Sequence, residues 1–128
     1  MKKDFVKSWI SSKQPRKQRK YRVNAPKHIL HSFLGATLSK ELRKKHGARN
    51  IPVRKGDTVK IMRGQFKGKT GKVAEADVKA SKVYVEGIDV IKKEGTKIRF
   101  PIHASNIMIT ILNLDDKKRA KKLQKGAR

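Results

Sequence analysis

The chain contains no cysteine, few aromatic residues and few acids. Among its 128 residues there are one tryptophan, two tyrosines and four phenylalanines, and Asp and Glu together number 10. Without cysteine, disulfides, thiolate zinc sites and thiol catalysis are excluded. No uninterrupted apolar run approaches the ~18 residues of a membrane helix, and no apolar segment of the secretory type follows the basic start of the chain. These absences predict a soluble intracellular protein.

Basic residues dominate the composition. Lys and Arg number 35, the formal net charge is +25 and the sequence pI is about 10.8. Only 36% of residues are hydrophobic, against roughly 45–50% in an average globular chain, which excludes one large core that runs through the whole chain. Because self-repulsion at this charge opposes a compact state, we expect a polyanionic partner, and nucleic-acid phosphate is the first candidate.

The charge is distributed unevenly and divides the chain into three segments. Residues 1–50 carry 15 basic and 2 acidic side chains, residues 51–114 carry 13 and 6, and residues 115–128 carry 7 and 2. We therefore predict a basic N-terminal extension over 1–50, a compact unit over 51–114 and a basic C-terminal tail over 115–128. For the tail we expect a solvated helix or disorder.

The middle segment shows the alternation of half-buried β-strands. Its short β-branched runs repeat with period two, and glycine-containing turns separate them. This pattern predicts a mainly β fold, a small antiparallel barrel or rolled sheet. The apolar residues expected to face its core are Val59 and Ile61, Val83 and Val85, and Ile107, Ile109 and Ile111.

Three short helices are predicted in the N-terminal extension. The first covers Pro15 to Arg22 and is polar on all sides, and the second covers Pro26 to Leu34 and ends at Gly35. The third begins after Ser39, a good N-cap, and ends at Gly47. Because the apolar content is low, we expect residues 12–47 to become ordered only along a partner.

The glycine- and lysine-rich stretch Gly64–Thr70 approaches a phosphate-binding P-loop but does not match it. Three residues instead of four separate Gly64 from Gly68, and the following Lys72-Val73 starts a strand instead of a helix. The stretch favours a tight turn whose glycines adopt positive φ. Four cations near the turn would then project from one rigid edge, with Phe66 available to stack on a base or ribose. These cations are Arg63, Lys67, Lys69 and Lys72.

Neither a metal site nor a catalytic site is favoured. His28 and His31 have a spacing that could hold a metal ion on a helix, but no third ligand lies nearby in the sequence. Asp57 follows Gly56 at a turn position, and Asp115-Asp116 lies in the tail, so the acids form no recognisable constellation. We expect no enzyme activity, no cofactor and no small-molecule substrate.

Contact with nucleic-acid backbone is the function that the charge pattern favours. The stretch Pro15–Arg22 holds five positive charges in eight residues and no acid. Twenty-five lysines against ten arginines indicate neutralisation of phosphates more than bidentate reading of bases. The candidate RNA-binding residues are Arg16, Lys17, Arg19, Lys20, Arg22, His28, Arg43, Lys44, Lys45, Arg54, Lys55, Arg63, Phe66, Lys67, Lys69 and Lys72.

Two stretches of the middle segment together resemble a KOW motif, and further stretches extend the resemblance. The KOW-like stretches are Ile51–Val59 and Arg63–Val73. With Arg16–Lys20, Asn24–His28, Leu38–Lys45 and Ile102–Ile107, the chain resembles the archaeal/eukaryotic family of large-subunit ribosomal protein 24, called protein 26 in the eukaryotic naming. The resemblance covers residues from about Ser12 to Arg119.

The resemblance implies a fold and a function. It implies a small SH3-like KOW barrel and a structural role in the large ribosomal subunit, bound to large-subunit ribosomal RNA (rRNA) and to neighbouring ribosomal proteins. It further implies binding near the 5′ region of that RNA, early in assembly and close to the peptide exit tunnel, in the cytoplasm. A KOW-type transcription factor and a chromatin-associated nucleic-acid-binding protein remain alternatives.

Overall fold

The computed structural model describes Phe5 and residues 11–125. These residues form four helices, Pro15–Asn24 (α1), Lys27–Phe33 (α2), Lys40–His46 (α3) and Lys117–Lys125 (α4), with a 3₁₀ turn at Ala104–Asn106. The described strands are Gly35–Leu38 (β1), Asn50–Pro52 (β2), Thr58–Ile61 (β3), Thr70–Asp77 (β4), Lys82–Val85 (β5), Asp89–Ile91 (β6), Lys97–Arg99 (β7), Ile102–His103 (β8) and Ile107–Ile111 (β9).

Seven of these strands form one mixed sheet in the order β2-β1-β9-β3-β4-β5-β8. Its neighbouring strands are antiparallel, except that β1 runs parallel to β9. Strands β6 and β7 form a separate antiparallel ribbon. The prediction of a mainly β fold with helices near the start of the chain is confirmed. Within the described residues, the end strands β2 and β8 do not pair with each other.

The predicted alternation places the expected residues in the core, with one exception. Val59 and Ile61 of β3 are buried, as are the two valines of β5 and the first two isoleucines of β9. Ile111 is 63% exposed, so its predicted core position is wrong. The register between β3 and β9 shifts at Thr58/Val59. A bulge adds one residue to a strand and turns the next side chain to the other face.

The N-terminal third contributes a strand that the alternation in the middle segment does not predict. Strand β1 lies between β2 and β9, and its residues Ala36 and Leu38 are buried in the same core as the middle segment, together with the preceding Leu34. Because these side chains are buried by the chain itself, the expectation that all of residues 12–47 needs a partner to become ordered is wrong for residues 34–38.

Helix α3 has the ends that its sequence predicts. The backbone N–H of Leu42 donates to the Ser39 hydroxyl oxygen at 3.4 Å, and Gly47 adopts the left-handed conformation with φ 62°. Glu41 lies in the first turn and Lys44 in the last, where each charge complements the helix dipole. Helices α1 and α2 also form where they were predicted.

The C-terminal segment packs on the sheet through one face of α4. Leu123 is 3% exposed and belongs to the core, and Arg119, one turn earlier, is 5% exposed. A helix forms here, one of the two expectations for the tail, but it is not solvated on the face of Arg119 and Leu123. Residues 1–4 and 6–10 of the predicted extension and residues 126–128 of the predicted tail lie outside the described residues.

Candidate nucleic-acid interface

Helix α1 carries the densest group of predicted contact residues. Arg16, Lys17, Arg19 and Lys20 are all exposed, and no residue of α1 is buried. The helix packs through Tyr21, whose ring lies 6.4 Å from that of Phe33 on α2 in an edge-to-face arrangement. The α1 cations are therefore left at the surface.

The glycine-rich loop between β3 and β4 is held by backbone hydrogen bonds. Gly64 and Gly68 adopt φ 95° and φ 87°, as predicted for a turn. The N–H of Gly68 donates to the carbonyl of Ile61 at 2.8 Å, and the N–H of Ile61 donates to the carbonyl of Lys69 at 2.9 Å. Strand β4 follows the loop directly, which is the strand expected in place of a P-loop helix. The loop is thus a hydrogen-bonded connection between two central strands, at one end of the sheet.

The cations of this loop are exposed, whereas its aromatic ring is packed. Arg63, Lys67 and Lys69 project into solvent, and so does Lys72 in β4. Phe66 is half-buried, with its ring centroid 5.1 Å from that of Phe100, and Lys69 Nζ lies 5.2 Å from the Phe66 ring. The geometry gives Phe66 a packing role, which sequence reasoning did not foresee, and leaves only part of its ring open.

A concave surface connects this loop to strands β5 and β8. Its lining includes Arg63 and Phe66 of the loop together with Lys82, Phe100 and His103. Lys82 and His103 are cross-strand partners in the register of β5 and β8. Neither residue was among the predicted contacts, because only the strand pairing brings them to the loop.

The α1–α2 region places a charge near His103 of this concave surface. The guanidinium carbon of Arg22 lies 5.0 Å from the centroid of the Phe33 ring. Burial is the largest cause that lowers the pKa of the His103 imidazole below its ordinary value of 6.5, followed by the nearby charges of Lys82 and Arg22. The structure therefore brings the last cation of α1 toward the surface lined by the glycine-rich loop.

We expect the charge of Arg22 to be visible in the titration of His103. In the variant Arg22→Gln the pKa of His103 should rise toward 6.5 but stay below it, since burial and Lys82 still act. The pKa is measured from the imidazole proton shifts by NMR. The control variant is Arg16→Gln, which removes the same positive charge from another position of α1. If the two variants shift the pKa of His103 equally, Arg22 is not close to this site.

The remaining predicted contacts occupy α2, α3 and the turn after β2. His28, Lys44 and Lys45 are exposed. Arg43 is half-buried, and its Nε donates to the carbonyl of Leu38 at 2.8 Å, which fixes α3 against β1. Lys55 is exposed on the turn.

Arg54, on the same turn, is exposed and forms an ion pair with Asp116. Hydrogen bonds from the backbone N–H of Lys118 and from Arg54 lower the pKa of the Asp116 carboxyl.

No group of three or more potential metal ligands occurs in the part of the chain that the structure describes.

A buried ion pair between Asp57 and Arg119 is the main feature that sequence reasoning missed. Arg119 donates from Nη1 to Asp57 Oδ1 at 2.7 Å and from Nη2 to Asp57 Oδ2 at 2.6 Å. Asp57 is fully buried and also accepts the backbone N–H groups of Arg54 and Asn113, each at 2.9 Å. The sequence signal was an acid beside Gly56 in a very basic chain, but nothing local indicated its partner 62 residues later.

Comparison with known proteins identifies the family of the chain. Residues 12–126 match the model of the family that unites ribosomal protein L26 of eukaryotes with ribosomal protein L24 of archaea. The chain belongs to this L26/L24 family. It is also 53% identical over 116 residues, 91% of this chain and 94% of the relative, to the large ribosomal subunit protein uL24 of Methanocella arvoryzae. The family predicted from the resemblance is thereby confirmed.

The L26/L24 family match extends from α1 to α4. It therefore includes the α1 cations, the glycine-rich loop and both residues of the buried ion pair. In the described residues of this ribosomal protein, no helix is long and apolar enough to cross a membrane.

Proposed function

We propose that this ribosomal protein is a structural constituent of the large subunit and acts there by binding large-subunit rRNA. The name of the Methanocella arvoryzae relative, a large-subunit protein, supports this placement. The proposal includes binding early in assembly and near the peptide exit tunnel, contact with neighbouring ribosomal proteins, a place in the cytoplasmic ribosome and no catalytic role.

The observation that carries the proposal is the exposed positive charge of α1. No acidic residue occurs between Asp4 and Glu41, and the α1 cations are at the surface. Such a surface is unfavourable when isolated, and phosphate groups neutralise it while they release their own counterions. Lysines and arginines that contact phosphates position the protein on RNA without reading the base sequence.

The glycine-rich loop supplies a second, rigid part of the proposed interface. Its backbone hydrogen bonds fix the backbone that carries Arg63, Lys67 and Lys69 before binding, so little backbone conformational entropy is lost when these side chains contact phosphates. Lys72, exposed on β4, adds a fourth cation beside these three. We include Phe66 as a contact to a base or ribose through the part of its ring that Phe100 and Lys69 leave open.

The further predicted contacts complete the proposed interface around the sheet. They are Arg22, His28, Arg43, Lys44, Lys45, Arg54 and Lys55. In this proposal the strands between residues 51 and 114 are an SH3-like KOW barrel, flanked by the basic segments 1–50 and 115–128. Leu38 and Leu123 are buried in the core of this unit, so both flanking segments pack against it.

Two measurements test the proposal against a role on DNA. The tagged protein should co-sediment with large subunits through a high-salt wash, and labelled large-subunit rRNA should remain bound when duplex DNA of equal phosphate concentration is added. Release of the protein in the wash, together with equal competition by duplex DNA, would favour a chromatin or transcription protein and contradict the proposal.

A further inference from the structure

A groove of about 560 Å³ lies between α2, the turn after β2, β4 and α4. Its floor is apolar and includes Leu34, Ile51 and Val78. Its rim is cationic, and no acidic side chain lines it among the residues that the structure describes. Its cationic residues are Arg54, Lys55, Lys118 and Lys122, and His31 also lines the groove.

Helix α4 forms one wall of this groove because its inner face is anchored. Arg119 and Leu123, one turn apart, are buried, and Arg119 is held by Asp57 and by the carbonyls of Asn113 and Pro52 at 2.8 and 3.2 Å. Lys118 and Lys122 are also one turn apart and face the groove, while Lys117 and Lys121 are exposed and do not line it.

This anchoring holds like charges together. Lys118 and Lys122 lie along the same groove as Lys55 and Arg54, and of these four cations only Arg54 has a described acidic partner, Asp116. Like charges in proximity repel, so the arrangement opposes the docking of α4. An anion bound between these cations would offset their repulsion.

We propose that this groove binds the phosphodiester backbone of an RNA strand, with Lys118 and Lys122 on one side and Lys55 and Arg54 on the other. The inference rests on the proposed function, because it takes RNA as the partner, but it adds a site on the C-terminal helix. The cations of the rim contact phosphates, and the apolar floor packs against the ribose faces between them.

The structure favours RNA over an acidic peptide in this groove. A peptide that adds to a sheet edge needs the free backbone groups of the edge strand. Strand β2 is the end strand here, but the Pro52 carbonyl already accepts a hydrogen bond from Arg119. The remaining attraction is charge on both walls of a groove, which suits a continuous chain of phosphates.

The test compares two double variants of α4 in the full-length protein. Lys118→Gln with Lys122→Gln removes two charges from the groove, and Lys117→Gln with Lys121→Gln removes two charges from the adjacent face. Affinity for large-subunit rRNA is measured across a series of salt concentrations. In a plot of the logarithm of the association constant against the logarithm of salt concentration, the slope for the groove variant should be shallower by about 1.4, since each lost phosphate contact removes about 0.7. The control should keep the slope of the unmodified protein.

Three outcomes separate the two proposals. If the unmodified protein does not bind rRNA with a steep salt dependence, the proposed function fails. If it does bind but the two double variants behave alike, the groove inference alone is overturned. Acetylation of lysines provides a second readout, because bound rRNA should protect Lys118 and Lys122 more than Lys117 and Lys121. Protection of the groove lysines by added polyglutamate, but not by rRNA, would assign the groove to an acidic protein instead.

Discussion

Replacing Asp57 by asparagine should lower the free energy of unfolding by about 3–5 kcal/mol, the range found when one member of a buried ion pair is removed. The substitution leaves Arg119 buried without a compensating charge, because its side chain is only 3% exposed and Asp57 is its ion-pair partner. It also replaces one of the two oxygens that accept the N–H groups of Arg54 and Asn113 by an amide NH2 group, which cannot accept. The effect is read from the midpoint of urea unfolding.

Two further variants show whether this loss comes from the ion pair. Asp115→Asn removes the same charge from an exposed position of the same region and should leave the midpoint nearly unchanged. The double variant Asp57→Leu with Arg119→Met replaces the pair by apolar side chains and should unfold at a higher urea concentration than Asp57→Asn, since no isolated charge remains buried. Equal midpoints for Asp57→Asn and Asp115→Asn would contradict a structural role of the pair.

Neutralising the α1 cations should reduce affinity for large-subunit rRNA by about two orders of magnitude. The variant replaces Arg16, Lys17, Arg19 and Lys20 by glutamine. At about 0.15 M salt, four lost phosphate contacts at about 0.7 each remove roughly this factor. Because the four side chains are exposed and their helix has no buried residue, the fold should be unaffected, as checked by circular dichroism. Affinity is measured by fluorescence anisotropy with labelled rRNA.

The β6–β7 ribbon supplies a control of equal charge. Its variant replaces Lys92, Lys93, Lys97 and Arg99 by glutamine, and all four are exposed and lie outside the predicted contacts. We expect a much smaller loss of affinity for this variant. If both variants weaken binding to the same extent, affinity depends on net charge alone and the assignment of α1 as the contact is wrong.

Local signals in the sequence were sufficient for elements whose stability is also local. Helix α3 begins after the N-cap Ser39 and ends at the left-handed Gly47, as predicted, because capping depends on a few neighbouring residues. The turn at Gly64 and Gly68 was equally predictable, because glycine readily adopts the positive φ that both residues have. The apolar residues Val59 and Ile61, separated by the polar Lys60, identified β3, since a period of two reflects one buried face.

Elements that depend on distant partners were not predictable in the same way. Strand β1 is short, lies among basic helices and pairs in parallel with β9, about 70 positions later in the chain. Ile111 was assigned to the core because a bulge cannot be read from alternation. The docking of α4 depends on Arg119, which as a charged residue in a basic tail indicates solvent exposure unless its buried partner Asp57 is known.

The candidate site shows the same division. The basic clusters of α1 and of the glycine-rich loop were evident from charge runs. Lys82 and His103 joined the loop only through the pairing of β5 with β8. Lys118 and Lys122 face the groove only because Arg119 and Leu123 face the core. Charge runs thus indicate candidate contacts to a polyanion, while the sheet decides which of these candidates lie close together.

The salt dependence of rRNA binding tests most directly whether this basic surface binds the RNA backbone. If roughly eight phosphates are contacted, a plot of the logarithm of the association constant against the logarithm of salt concentration should have a slope of about −6, at about 0.7 per contact. A slope shallower than about −2 would contradict extensive contact between these cations and phosphates.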